Sequence, residues 1–330
     1  MHSNKYFAPV LWGSIFLCAA AAVLSLCLGS ICISPVGIIR ELAGGGMASN
    51  IIKYSRLPRT LACMTAGAGL AAAGAVLQRV LANKLASPSI IGINAGAGLG
   101  VTICCALGVL SGWMLSLSAF FGSLVTVALI SVFSGRGGIS KTTVILGGVA
   151  LNSILNAASE SITVLNPDVS IMTSEFRIGG FSSVSASKLL PAAALIILAL
   201  IALFTLFNEL DILSLGDENA HAVGLPAKKY RALFLCLSAL LSGAAVSFAG
   251  LLGFVGLIVP HLVRRLVGSE SRHLLPVSVF TGAGFVTLCD LAARTLFLPY
   301  ELPVGIIMSI IGGPVFIWLI IRFKGGHSND

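Results

Sequence analysis

"ALFLCLSALLSGAAVSFAGLLGFVGLIVPHLV", residues 232–263, contains no Asp, Glu, Lys or Arg across 32 positions. A single helix of that length would rise about 48 Å, well beyond a hydrocarbon core of about 30 Å. Lys228, Lys229 and Arg231 precede the stretch, and Arg264 and Arg265 follow it. Basic clusters mark the cytosolic ends of membrane spans. With both clusters on that side, the chain must go out and return within these residues. Gly250, Gly253, Gly256 and Pro260 supply the break, and the returning helix has to be short. A short span is tolerable where protein or a water-filled cavity surrounds its end.

Composition agrees with a membrane setting. Of the 330 residues, 57% are hydrophobic and 10% charged, and mean hydropathy is +1.02. A soluble domain carries about 25% charge. Further spans of about 20 apolar residues are expected at 9–33, 60–78, 89–111, 113–134, 142–165, 189–207, 274–293 and 303–321. With two crossings in 232–263, this predicts an all-α polytopic protein of about ten transmembrane helices with both termini cytosolic. The whole of 1–330 reads as one transmembrane domain, and 208–231 is its longest cytosolic loop. In this orientation thirteen of the twenty basic residues lie inside and seven outside, as the positive-inside bias requires. Arg56, Arg59 and Arg294 are among the seven, so something other than topology signalling is expected to hold them.

Several other readings are set aside on the residues. The net charge of +8 reflects cytosolic loops, and no basic patch interleaved with aromatics points to nucleic acid. The eight cysteines sit in or beside apolar runs without zinc or CxxC spacing. No metal-ligating cluster and no cofactor motif is expected. The apolar run Ala8–Ile33 is longer than the roughly 7–15 residues of a signal-peptide core, so an uncleaved first helix is the better reading. "GRGGISKT", 135–142, approaches the phosphate-binding GxxxxGK[ST] pattern but has Ser140 at its second glycine. It also lacks the strand-then-helix setting that pattern needs.

Inside the spans, Gly92, Gly96 and Gly100 recur every four residues, and Gly67 and Gly74 join Ala68, Ala71 and Ala75. Small residues at this spacing let helix backbones approach, either as ordinary packing or as a core that moves in blocks. Asn152, Asn156 and Glu160 share one helix face. Such polar groups either line a pathway or form an interhelical hydrogen-bond seam. Asp290 lies four residues before Arg294, so the two can pair. The loop "NELDILSLGDENAHAVGLPAKKYR", 208–231, mixes charges with Leu213, Leu215, Ala220, Ala222 and Val223. Short helices broken at Gly216 and at Gly224–Pro226 are expected there, forming a docked surface or a solvated connector.

Taken together, "RLPR" at 56–59, "GAGLAAAGAVLQ" at 67–78, "NKLASPSIIGINAGA" at 83–97, "LSLGDENAHAVGL" at 213–225, "GFVGLIVPHLVR" at 253–264, "ELPVG" at 301–305 and "GGPVFIWLI" at 312–320 resemble the permease subunits of ABC importers for iron–siderophore chelates, haem and vitamin B12. The likeness runs from about residue 50 to 320. Lys84, Phe176 and the pair Glu270–Ser271 depart from the family's usual residues. The resemblance implies ten helices per subunit, a second permease copy or homologous permease, two ABC ATPase subunits and an extracytoplasmic substrate-binding protein. It implies that Arg56, Arg59 and Arg294 receive acidic side chains of that binding protein. It also implies that Leu215, Gly216, Asp217, Glu218, Ala220 and Gly224 dock into the ATPase. Gly256, Pro260 and His261 belong to its short hairpin helix, with a structural role expected for His261.

The function expected is translocation of a metal chelate, an iron(III)–siderophore, across the cytoplasmic (inner) membrane by alternating access, without bond chemistry in this chain. Haem or cobalamin are the alternatives within the family. Asn152, Asn156 and Glu160 would line the pathway, and the turns around Asn83 and Leu85 and around Thr142 and Thr143 would gate it. An ion-coupled secondary transporter is the rival from another class, for which Glu160 or Asp290 would have to carry the ion. A channel or structural protein would have no use for the docking loop.

Overall fold

The computed structural model describes residues 4–29, 32–38, 47–135 and 141–324, and among them there is no strand. The helices are α1 (Asn4–Cys27), α2 (Met47–Ile51), α3 (Leu57–Val80), α4 (Ile93–Ala106), α5 (Gly112–Gly135), α6 (Lys141–Leu165) and α7 (Pro167–Ile178). After them come α8 (Ala186–Thr205), α9 (Phe207–Ser214), α10 (Asp217–Ala222), α11 (Ala227–Ala249), α12 (Val255–Val267), α13 (Ser271–Thr295) and α14 (Val304–Lys324). A π-helical turn, Ile52–Arg56, joins α2 to α3. Six helices among the described residues are long and apolar enough to cross a membrane: α1, the run Ser49–Val80, α5, α8, α11 and α13. The chain is a multi-pass membrane protein.

The bundle is built around α3. In its apolar stretch 83% of residues are buried, against 28% for α1, α5 and α8. A helix apolar on every side belongs inside, and α3 packs against α13, α11 and α12. Its small residues make this possible. A Cβ on Gly74 would overlap the Gly256 carbonyl of α12, and one on Gly67 would overlap the Gly282 carbonyl of α13. A second close pair sets α4 on α5, where Gly96 faces Gly122 and Gly100 faces Ser118. Gly92 does not extend that stripe as expected. It precedes α4 with φ +87, a left-handed turn that glycine adopts readily.

The stretch 232–263 does break, between Gly250 and Phe254, into α11 and the 13-residue α12. Gly250 (φ 69) and Phe254 (φ 65) both take left-handed backbone. The expectation that Gly256 and Pro260 help to make the break is wrong, since both lie inside α12. Proline there removes the N–H that would bond the carbonyl four residues back, that of Gly256. Gln78 of α3 donates to Gly256 O at 3.2 Å and Leu257 O at 3.3 Å. Arg264 then donates to Gln78 Oε1 at 2.9 Å. The buried amide therefore occupies the carbonyl that the proline leaves open.

The break itself is sealed by backbone. Leu251 N donates to Phe176 O at 2.9 Å, Gly180 N to Ala249 O at 2.9 Å and Gly305 N to Gly179 O at 3.2 Å. Protein thus surrounds the start of the short helix, as membrane burial of backbone demands. Two further differences from the sequence reading are local. The first helix ends at Cys27 rather than 33. Residues 167–178, which lie between two expected spans, form α7.

Replacing Gly74 with leucine is expected to cost about 1–3 kcal/mol or more, because the overlapping atoms are backbone and cannot rotate away. Thermal unfolding of the detergent-solubilised chain should show a clear drop in midpoint. Gly13→Ala, with nothing within 4 Å of the added carbon, should leave it unchanged.

Candidate functional site

The carbonyls of the last turn of any α-helix lack intrahelical partners and carry partial negative charge. At the C-terminus of α1 two arginines meet them. Arg56 Nη1 donates to Leu26 O at 2.7 Å and Cys27 O at 3.2 Å. Arg294 Nη2 donates to Ser25 O and, at 2.8 Å, to Ser25 Oγ, and that hydroxyl bonds Thr60 at 2.7 Å. Both arginines are only 5% exposed.

Asp290, 1% exposed, is the carboxylate at the centre of this end. Arg59 grips it with two nitrogens, Nη2 to Oδ1 at 3.0 Å and Nε to Oδ2 at 3.0 Å. This fork suits a planar carboxylate. The pairing with Arg294 anticipated from the i,i+4 spacing is present but looser, at 3.7 Å. Arg59 also donates through Nη1 to Glu301 at 2.8 Å. Glu301 is half exposed, so Arg59 is the arginine of this set nearest the surface. The structure brings all three predicted arginines together but turns the forks of Arg56 and Arg294 inward. A position presenting them to an outside partner is not what is seen.

The other end of α3 and α13 carries the predicted coupling loop. It folds as α9 and α10, interrupted at Gly216 (φ 110) and closed at Gly224 (φ 80). Leu210, Leu213 and Ala220 are wholly buried, whereas Leu215 and Val223 are each 68% exposed, and Glu218 is exposed beside them. Asp217 pairs with Arg231 yet keeps about half of its side chain exposed. Asp211, unmarked by sequence reading, latches the loop to the bundle. It accepts from Ser271 N at 3.0 Å and Ser271 Oγ at 2.7 Å, at the start of α13, and pairs with Arg79 of α3. A carboxylate at a helix N-terminus is favoured there by the orphan N–H groups and the dipole.

On α6, Asn156 Nδ2 donates to Asn152 Oδ1 at 3.4 Å. Glu160 is exposed and 4.0 Å from Arg177 of α7. The same helix exposes Leu146, Ile154, Val164 and Leu165, so the polar stripe runs through an uncovered apolar surface. Asn83 closes a turn by accepting from Leu85 N at 2.8 Å, and Leu85 and Thr143 are exposed. The side chain of Thr142, and residues 136–140 of the P-loop-like turn, lie outside the described residues. Gly256, Pro260 and His261 are buried together in α12. Helix α7 had a readable start and stop: Pro167 at its first position, Asp168 in its first turn and Gly179 beyond its end.

Against known proteins, the model of the FecCD transport family matches residues 17–322. The hemin transport system permease protein HmuU of Yersinia pestis is 37% identical over 83% of this chain and 84% of its own length. The vitamin B12 import system permease protein BtuC of Klebsiella pneumoniae is 35% identical over 96% of this chain and 94% of its own. A solved structure described as an inward-facing conformation of a metal-chelate type ABC transporter superposes with a TM-score of 0.84 at 31% identity, covering 96% of this chain and 99% of that one.

Asp290 and Glu301 should differ sharply as partners of Arg59. Asp290→Asn leaves buried arginines facing a neutral group and is expected to destabilise by about 3–5 kcal/mol. Glu301→Gln weakens a solvent-exposed pair and should cost under about 1 kcal/mol. Denaturation of the two variants side by side checks the ranking.

Proposed function

The chain belongs to the FecCD transport family, and from that premise we propose that it is the membrane subunit of an ATP-driven importer carrying an iron(III)–siderophore inward across the cytoplasmic membrane. The observation that carries this reading is the rim of α9 and α10. Leu215 and Val223 stand exposed around Glu218 on a base anchored by Leu210, Leu213 and Ala220. Apolar side chains held out from a rigid cytosolic support suit docking of another protein. The partner in this proposal is an ABC ATPase, one for each of two permease copies. Its closure on ATP would press the rim, and Asp211 would pass the displacement to α13 and α3 through Ser271 and Arg79. Differential binding of the ATPases to two arrangements of the bundle then drives alternating access.

The orientation proposed has ten crossings, α1, α3, α4, α5, α6, α8, α11, α12, α13 and α14, with both termini cytosolic. Its support is the grouping of charges. Arg56, Arg59 and Arg294, assigned outside, meet at one end of α3, and Arg79, assigned inside, meets Asp211 at the other. An extracytoplasmic binding protein would dock at the first end. There Arg59 and Glu301 are the surface members, while Arg56 and Arg294 hold the end of α1 in shape. The exposed α6 face with Asn152, Asn156 and Glu160 would meet the second permease copy and line the path between the two. Amide and carboxylate side chains there suit a polar chelate. Haem and cobalamin remain the alternative cargoes, as the names of the relatives suggest. The turns at Asn83 and Leu85 and at Thr142 and Thr143 are the proposed cytosolic gate. An ion-coupled mechanism is disfavoured because Asp290 is held by Arg59 and lies beside Arg294.

In proteoliposomes with its ATPase and binding protein, the chain is expected to take up iron(III)–siderophore only with ATP. Gly216→Trp with Glu218→Arg should abolish most uptake and ATPase co-purification while membrane insertion persists. Uptake driven by an ion gradient without the ATPase would reject the reading.

Asn152→Cys and Asn156→Cys, in a background free of native cysteines, should react with a water-soluble thiol reagent. The extent should change when ATP is trapped. Inertness in both states would mean that the stripe is an interhelical seam.

A further inference from the structure

Two cavities open on the flank of the bundle between α5, α8 and the end of α11. They share Ser116, Lys188 and Ser247 and therefore form one groove. The part toward the helix ends, about 120 Å³, is lined by Glu175, Phe176 and Ser183 as well as the shared residues. The part below it, also about 120 Å³, is walled by Trp113, Leu117, Phe120, Phe121, Pro191 and Leu195. Trp113, Leu117 and Phe121 follow one face of α5 at i, i+4 and i+8. Lys188, Pro191 and Leu195 follow one face of α8 at i, i+3 and i+7. The α5 and α8 spans are among the least buried in the bundle, so the apolar part opens on hydrocarbon.

Lys188 stands at the junction of the two parts. It crosses the start of α5, where a side-chain carbon on Gly112 would lie 2.6 Å from its Nζ. Glycine at that position lets the ammonium rest there. Trp113 is its neighbour, and an aromatic and a lysine at this depth are a pairing typical of the membrane–water interface. Beyond Lys188 comes an opposite charge, Glu175, whose Oε1 accepts from Ser182 at 2.9 Å. Glu175 also lines the neighbouring cavity that contains Arg59 and Glu301. The groove is therefore at the same end of the bundle as the buried arginines.

We infer that this groove binds a phospholipid with a primary-ammonium head group, of the phosphatidylethanolamine type. One acyl chain would lie along Leu117, Phe121 and Leu195. The phosphate would reach Lys188, and the ammonium, farther from the chains, would donate to Glu175. The order of features along the groove, apolar then cationic then anionic, is the order of charges in such a lipid. A purely anionic head group would be opposed by Glu175. A quaternary ammonium could not donate a hydrogen bond to it. A soluble zwitterion would leave the aromatic trough unfilled.

The test is native mass spectrometry of the transporter assembled with its ATPases, titrated with phosphatidylethanolamine, phosphatidylcholine and phosphatidylglycerol of matched chains, and with soluble glycerophosphoethanolamine. The wild-type assembly should retain phosphatidylethanolamine preferentially. Lys188→Gln should lower that retention about tenfold, the scale of one charge-assisted hydrogen bond. Glu175→Gln should remove the preference over phosphatidylcholine. Equal retention of all three lipids by the wild type overturns the inference without recourse to any variant. So does a preference that survives both substitutions. Preferred phosphatidylglycerol lost only with Lys188→Gln would make the groove an anion site, and equal binding of the soluble head group would exclude a lipid occupant.

Discussion

Asp290 is a carboxylate with almost no exposed surface, and much of one end of the protein is arranged around its charge. A buried carboxylate is tolerable only with partners in good geometry. Arg59 supplies two hydrogen bonds from α3, and Arg294 adds a second positive charge from the same helix as Asp290. Arg294 and Arg56 in turn satisfy the last carbonyls of α1. One negative charge therefore ties together three helices that are far apart in sequence. The surface presented at this end is preassembled, because most of its cations are already committed to the protein's own backbone.

The opposite end is organised in the reverse sense. There the ion pairs of Asp211 and Asp217, themselves partly exposed, flank an exposed apolar rim and hold it to the bundle. Because Asp211 touches both α3 and the start of α13, and these helices meet backbone to backbone at Gly67 and Gly282, a rigid connection runs from the rim to Asp290. It contains no flexible side chain at its tightest point. Small residues in α3 thus serve stiffness as well as packing.

Much of this was legible in the sequence. The uncharged run 232–263 required a break, and helices stand on each of the apolar stretches. The glycines of the loop after α8 marked its two short helices correctly. What could not be read was partnership. The i,i+4 spacing of Asp290 and Arg294 suggested a local pair, yet the tighter bond comes from Arg59, more than two hundred residues away. Asp211 and Gln78 look like ordinary polar residues near helix ends until the fold sets them against Ser271 and the Gly256 carbonyl. Pro260 reads as a breaker because a proline inside a helix is unfavourable unless some distant group donates to the freed carbonyl, as Gln78 does here, and no local pattern announces that group. Arginines flanking a span invite an outward reading, whereas the end of a neighbouring helix can claim them first.

The sealing of the break before α12 also constrains how the protein is made. At 13 residues α12 rises only about 20 Å, too little to cross hydrocarbon unaided. The loop that opens it is closed by backbone bonds with residues 176 and 180, and residue 179 is bonded in turn by Gly305. Residue 305 is synthesised after α12 itself. During synthesis the short helix therefore emerges with partners for its opening loop already made, at residues 176 and 180, and only the carbonyl of residue 179 waits for α14. The final position of α12 is reached by assembly among helices already in place, and chain order alone does not determine when each segment becomes a stable part of the membrane.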